Sequence, residues 1–168
     1  MRAELIERLE RLRVALVDHP AGFLAGELND GAGLRALGAG PPDWAEVLQR
    51  YDGGRVGVVE VWRVDELEHE QAVLASLPLP WCEGLCIGTV DGEPLVIDSE
   101  TQQIAWFTER TADELPEDAE RVGLDDGRRA VTIGSVEHLF SHFLLGDGYP
   151  ALADDPEDAW AALLDQVP

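Results

Sequence analysis

Asp91-Gly92 separates two six-residue runs, LCIGTV and EPLVID, and constrains the fold more tightly than any other feature of the chain. A two-residue hairpin loop of type I′ needs positive φ at both central residues, which Asp-Gly tolerates and few other pairs do. Residues 85–90 and 93–98 are therefore read as antiparallel strands. Residues 99–102 supply a second turn, and 103–108 a third strand with Ile104 and Trp106 on one face. Three consecutive strands make a meander.

Upstream of it, PPDWAEVLQRYDGGRVGVVEVW at 41–62 reads as helix, stop and strand. Proline at a first helical position loses only a donor that had no partner, so Pro41-Pro42 can open a helix. Trp44, Val47, Leu48 and Tyr51 recur at i, i+3, i+4 and i+7, one apolar face. Asp52-Gly53-Gly54 is expected to end the helix, with one of the two glycines at positive φ. Residues 56–64 are valine-rich and predict one strand, with Glu60 and Trp62 on the same side. Asp65 is placed as the cap of a helix over 66–76.

The flanks are helical. Leu5, Leu9, Leu12 and Leu16 form a stripe over 2–17. Residues 23–37 predict a loop with a short strand or turn, and 109–127 the least ordered stretch, followed by a last short strand at 128–133. Ser135 is expected to cap a helix with Val136, Leu139, Phe140, Phe143 and Leu144 on one face and Gly146 as its stop. Asp155-Pro156 should open a final helix burying Ala159, Trp160, Leu163, Leu164 and Val167. At 168 residues and 45% hydrophobic composition, one domain over 1–168 is expected, with a central meander and N-terminal, central and C-terminal helices.

Charge narrows the class of partner. Thirty-four acids face twelve bases for a formal charge of −22, and every base is arginine because the sequence has no lysine. Such a field repels nucleic acid and anionic membrane and attracts basic proteins. No apolar run has transmembrane length and no signal peptide opens the chain, so the reading is cytoplasmic. Cys82 and Cys86, spaced along a strand, are too far apart to bridge and read as buried thiols.

No catalytic constellation emerges. His138 and His142 have the i,i+4 spacing of two zinc ligands, but Glu137 precedes the first histidine, which breaks the H-E-x-x-H pattern. The helical angle also turns both rings away from the Phe140/Phe143 stripe, toward water. No pair among the carboxylates stands out as an acid–base couple. Neither glycine cluster at 31–33 or 38–40 is followed by Lys-Ser/Thr, so neither is a phosphate loop. No G-x-S-x-G occurs. The expectation is no metal, no cofactor and no catalytic residue. Four of the five tryptophans fall on element faces; Trp81, in LPLPWCEG, sits on a proline-flanked segment where an aromatic can anchor a partner.

Three segments resemble the SUKH superfamily, named after homologues of a yeast regulator of cell-wall synthesis. PPDWAEVLQRYDGG is similar to the family's Leu-Pro, aromatic, Leu-Leu, Asn-Gly-Gly helix, with Asp52 where asparagine is common. LCIGTVDGEPLVIDSETQQIAWF resembles its hairpin, with Gln102-Gln103 where a glycine is common, and SVEHLFSHFL its closing helix. The match covers about 41–145. The resemblance implies an α+β fold, a mostly antiparallel sheet with a central meander packed by helices, and, for bacterial members, an immunity protein that neutralises a toxin of a polymorphic toxin system, often a nuclease or deaminase. A basic, nuclease-type toxin domain would suit the charge. Two other readings stay open, a regulatory or scaffold adaptor without a toxin and an enzyme with an unrecognised carboxylate site. Contact is expected on the open side of the sheet and its rims, through Asp52, Glu60, Asp65, Glu66, Glu83, Asp91, Glu93 and Asp98, with Trp62 and Trp81 as aromatic anchors. Gly53, Gly54 and Gly92 are assigned to turns and caps.

Overall fold

A computed structural model describes residues 3–18, 22–31, 42–75, 84–110, 115, 121–123, 128–155 and 157–167. Eight strands form one antiparallel sheet in the order β1-β2-β3-β4-β5-β6-β8-β7. They are β1 (Gly26–Asp30), β2 (Tyr51–Val56), β3 (Val59–Val61), β4 (Leu85–Val90), β5 (Glu93–Ile97), β6 (Ile104–Thr108), β7 (Arg121–Gly123) and β8 (Arg129–Gly134). The helices are α1 (Ala3–Asp18), α2 (Gly22–Ala25), α3 (Pro42–Arg50), α4 (Val64–Ala75), α5 (Val136–His138) and α6 (Ala159–Leu164). α5 continues without a break into a π-helix, Leu139–Leu144. The chain is α+β, and six strands in sequence extend the expected meander.

The hairpin at Asp91-Gly92 stands where the sequence puts it. Asp91 has φ 52° and Gly92 φ 80°, the two positive values of a type I′ turn. The next turn is built by Asp98, whose Oδ1 accepts from Thr101 N at 2.6 Å, Thr101 Oγ1 at 2.9 Å and Glu100 N at 3.0 Å. That bonding holds Gln102 at φ 60° without a glycine.

The stretch around Gly53 differs from its reading. Trp44, Val47, Leu48 and Tyr51 are buried as the periodicity predicts, but β2 starts at Tyr51, directly after the helix. Gly53 (φ 68°) and Gly54 (φ 136°) lie inside that strand. The β1–β2 register shifts between Leu28 and Asp30, opposite Gly54 and Tyr51, so Asp52-Gly53 forms a bulge. Residues 56–64 are not one strand either. Val56 pairs with Val59 across a two-residue turn, Gly57-Val58, and Gly57 has φ 55°. Positive φ at the first central residue is the type II′ solution.

The remaining corrections are at helix ends. α4 opens at Val64, not behind Asp65, because two carboxylates cap it. Asp52 Oδ1 accepts from Val64 N at 3.0 Å, and Glu66 Oε2 reaches back to Arg63 N at 2.9 Å. α6 opens at Ala159, capped by Asp158, whose Oδ1 accepts from Ala161 N at 2.8 Å. Ser135 caps α5 as expected, accepting from His138 N at 3.1 Å. The loop expected at 23–37 holds α2 and the edge strand β1. Strand β7 falls within the stretch read as least ordered, most of which lies outside the described residues.

Register divides the sheet into two faces. Leu28, Gly54, Val61, Gly88 and Leu95 are successive cross-strand partners, and Leu95 pairs with Trp106, which pairs with Val131. Directly opposed residues point to the same side, and in this row every side chain is buried. The leucine stripe of α1, Trp44 of α3, Leu139 and Phe140 of the π-helix and Trp160 of α6 complete one core with it. Tyr51 meets Phe140 edge to face at 5.7 Å, and the indole of Trp160 donates to Leu144 O at 2.8 Å.

Candidate protein-binding surface

The outer face of the sheet carries the other row. Glu27, Arg55, Glu60, Thr89 and Pro94 are successive partners across five strands. Glu27, Arg55 and Glu60 are exposed, Thr89 and Pro94 half-buried. Arg55 stands between two glutamates, an arrangement that lowers repulsion along the row. Toward the start of β4 this face closes. Gln71 of α4 accepts from Cys86 N at 2.9 Å and donates to Gly84 O at 3.1 Å, clamping the helix over Cys86 and Val96, which are both buried. The open side of the sheet is thus the half that runs toward the turns at Gly57-Val58 and Asp91-Gly92.

At that end lies an open groove of about 590 Å³ lined by Asp91, Glu93, Glu109, Arg110, Ala153 and Asp154. Three separate segments meet there. Asp91 and Glu93 come from the first hairpin, Glu109 and Arg110 from the exit of β6, and Asp154 from the loop before α6. Four carboxylates face one guanidinium, a local formal charge of −3. The groove is braced from within. Glu93 Oε1 accepts from Glu109 N at 2.8 Å, and Arg110 forms an ion pair with Asp154 Oδ1 at 2.6 Å while lying 5.0 Å over the Trp106 ring. Arg129 donates to Arg110 O at 2.7 Å. Asp91 is tied to the neighbouring turn through its N–H, which donates to Val58 O at 2.8 Å.

The same turn is anchored to the C-terminal segment. Tyr149, buried, accepts from Val58 N at 3.1 Å and donates to Asp158 Oδ2. Burial, and then the Asp158 carboxylate, push the Tyr149 hydroxyl above its ordinary pKa.

The residues expected to bind a partner do not form one patch. Asp91 and Glu93 are in the groove, and Glu60 is exposed on the adjoining outer face. Asp52, Asp65, Glu66 and Asp98 belong to the opposite end of the sheet. Asp52 is 8% exposed and occupied as the α4 cap. Glu66 shares that role, Asp65 pairs with Arg63 at 3.1 Å, and Asp98 organises its turn. Trp62 is 8% exposed and packs in the core, not outward as an anchor. Trp81 and Glu83 lie outside the described residues, as does Cys82. Gly53, Gly54 and Gly92 all take positive φ, Gly53 in the bulge, Gly54 paired beside it in β2 and Gly92 in a turn.

Sequence reasoning missed Glu109 and Asp154. Glu109 was within reach, because β6 runs antiparallel to β5 and its exit must lie beside Glu93. Asp154 had no local signal; only the packing of the C-terminal segment brings it over.

His138 and His142 are both exposed, as expected, but their rings do not turn away from the phenylalanine stripe: both meet the edge of Phe143. Cys86 is a buried thiol. Among the described residues no group of three or more histidines, cysteines and carboxylates is placed to hold a metal, and no helix is long and apolar enough to cross a membrane. No family model, curated protein or solved structure matches the chain.

Proposed function

We propose that this chain is a SUKH-type immunity protein that binds a basic, nuclease-type toxin in the cytoplasm and covers its phosphate-binding surface. The groove carries the reading. Asp91, Glu93, Glu109 and Asp154 converge there from three segments, on a chain whose total charge is −22. A hydrogen bond to Glu93, an ion pair to Asp154 and the backbone ties of Asp91 and Glu109 fix these acids at one place, and Glu60 continues the acidic field onto the open half of the sheet. The likeness of 41–145 to SUKH segments supports the same role, which asks for no catalytic residue, metal or cofactor.

Charge of this kind acts first on encounter. Capture of partners from the native cell at low salt, followed by association kinetics, tests it. The captured protein should be basic and encoded beside this chain. Its on-rate should fall as the Debye length shrinks from about 10 Å at 0.1 M salt to about 3 Å at 1 M. Exchanging Asp91, Glu93, Glu109 and Asp154 for their amides should slow association, while the amide of Asp65 should leave it nearly unchanged. An acidic partner, or an on-rate indifferent to salt, overturns the electrostatic reading. A partner without toxin activity puts the adaptor role in its place.

A further inference from the structure

The histidine pair on the π-helix holds a geometry that the role above does not use. His138 ends α5 and His142 lies in the π-helical turn. Widening the turn brings residues four apart closer to being in line than the 3.6-residue turn does. The two rings accordingly stack, with centroids 4.9 Å apart and planes 17° from parallel. Phe143 stands edge-on to both, at 5.4 Å from His138 and 4.7 Å from His142. Two glycines seat the rings. A Cβ at Gly134 would lie 3.4 Å from the His138 ring, and one at Gly148 would lie 2.5 Å from His142 Nε2. Both side chains remain exposed.

We propose that His138 and His142 form a two-ligand, exchangeable site for a borderline divalent transition metal, with zinc, nickel and copper(II) as the class. Two imidazoles bound to one tetrahedral centre at about 2.0–2.1 Å place their centroids about 5 Å apart. The rings already have that separation, and turning them out of the stack directs one nitrogen of each toward a common point. The donor set decides the class of metal. Imidazole suits zinc, nickel and copper, whereas magnesium and calcium take oxygen ligands. Two protein ligands leave the other positions to water, so the ion exchanges and contributes nothing to folding in its absence.

Titration of the chelator-stripped full chain with zinc chloride tests the site by calorimetry. One saturable equivalent is expected, lost in both His138→Gln and His142→Gln and kept in His69→Gln. The stripped chain should also gain melting temperature on adding zinc, and the two variants should not. A test free of substitutions is the broadening of histidine ring resonances by substoichiometric nickel. His138 and His142 should broaden together and before His69. Binding in the His138→Gln/His142→Gln double variant equal to that of the unmodified chain overturns the site, as does nickel broadening that reaches His19 or His69 first.

Discussion

A valine at Gly53 would meet two obstacles at once. The backbone there has φ 68°, and a Cβ would come within 2.6 Å of Val61 O and 2.7 Å of Arg63 N, both main-chain atoms that cannot swing aside. Gly53→Val should therefore lose roughly 1–3 kcal/mol of stability, read from urea denaturation; an unchanged midpoint would mean that the bulge can be rebuilt. Positive φ at this place was legible in the sequence, but its use was not, since a left-handed glycine serves a helix stop and a strand bulge equally well. Asp98 gives a pH effect at the same scale. The backbone N–H of Thr101, then its hydroxyl, and the N–H of Glu100 hold the carboxyl below the ordinary aspartate value. A native pKa below the unfolded one means that this group stabilises above the unfolded value and that the contribution disappears as pH falls through the native value. Carbon-detected titration should find Asp98 more acidic than an ordinary aspartate, and Asp98→Asn should remove its share of the acid-limb slope.

Elements were read correctly where their ends carried their own chemistry and misread where the ends were made by distant residues. The hairpin at Asp91-Gly92 and the Ser135 cap are local, so both were legible. Residues 56–64 were not, because valine continues on either side of Gly57-Val58 and hides a type II′ turn inside one β-rich run. What stabilises that turn is remote: the Tyr149 hydroxyl accepts from Val58 N and donates to Asp158, which also caps α6. One side chain thus ties a hairpin tip, a 3-10 turn (Tyr149–Ala151) and the final helix. Tyr149→Phe leaves Val58 N and an Asp158 oxygen without that partner and should cost about 1–3 kcal/mol in denaturant unfolding. Because burial raises the Tyr149 pKa above its unfolded value near 10, native stability should begin to fall as pH rises past about 10. That part of the alkaline decline should be missing from Tyr149→Phe. A variant with unaltered stability and alkaline slope would remove the hydroxyl from this account.

For the whole molecule, the dominant quantity is −22 spread over 168 residues. Like charges at this density repel each other in the compact state, and salt screens the repulsion. The melting temperature should therefore rise from low salt to about 0.5 M sodium chloride, the reverse of what a protein held by surface ion pairs would show. A melting temperature that fell over this range would mean that the Arg13–Asp30 and Arg110–Asp154 pairs outweigh the repulsion. The same salt should stabilise the free chain and slow its capture of a basic partner, two opposite responses from one field.

The sequence by itself determined the α+β class, the meander, the buried stripes of α1 and α3, and the acidic character of the chain. All of these depend on short-range periodicity, turn chemistry or a sum over composition. Only the tertiary structure decided which acids serve as caps and turns and which gather in one groove. Asp52 and Glu66 are taken up by the α4 cap, Asp98 by its own turn, whereas Asp91 and Glu93 are joined by Glu109 and Asp154 in the groove. The physical reason is that a carboxylate's role depends on which N–H or guanidinium comes within about 3 Å of it. For Asp52 and Asp154 that neighbour lies far along the chain, at Val64 and Arg110, and only packing brings it near.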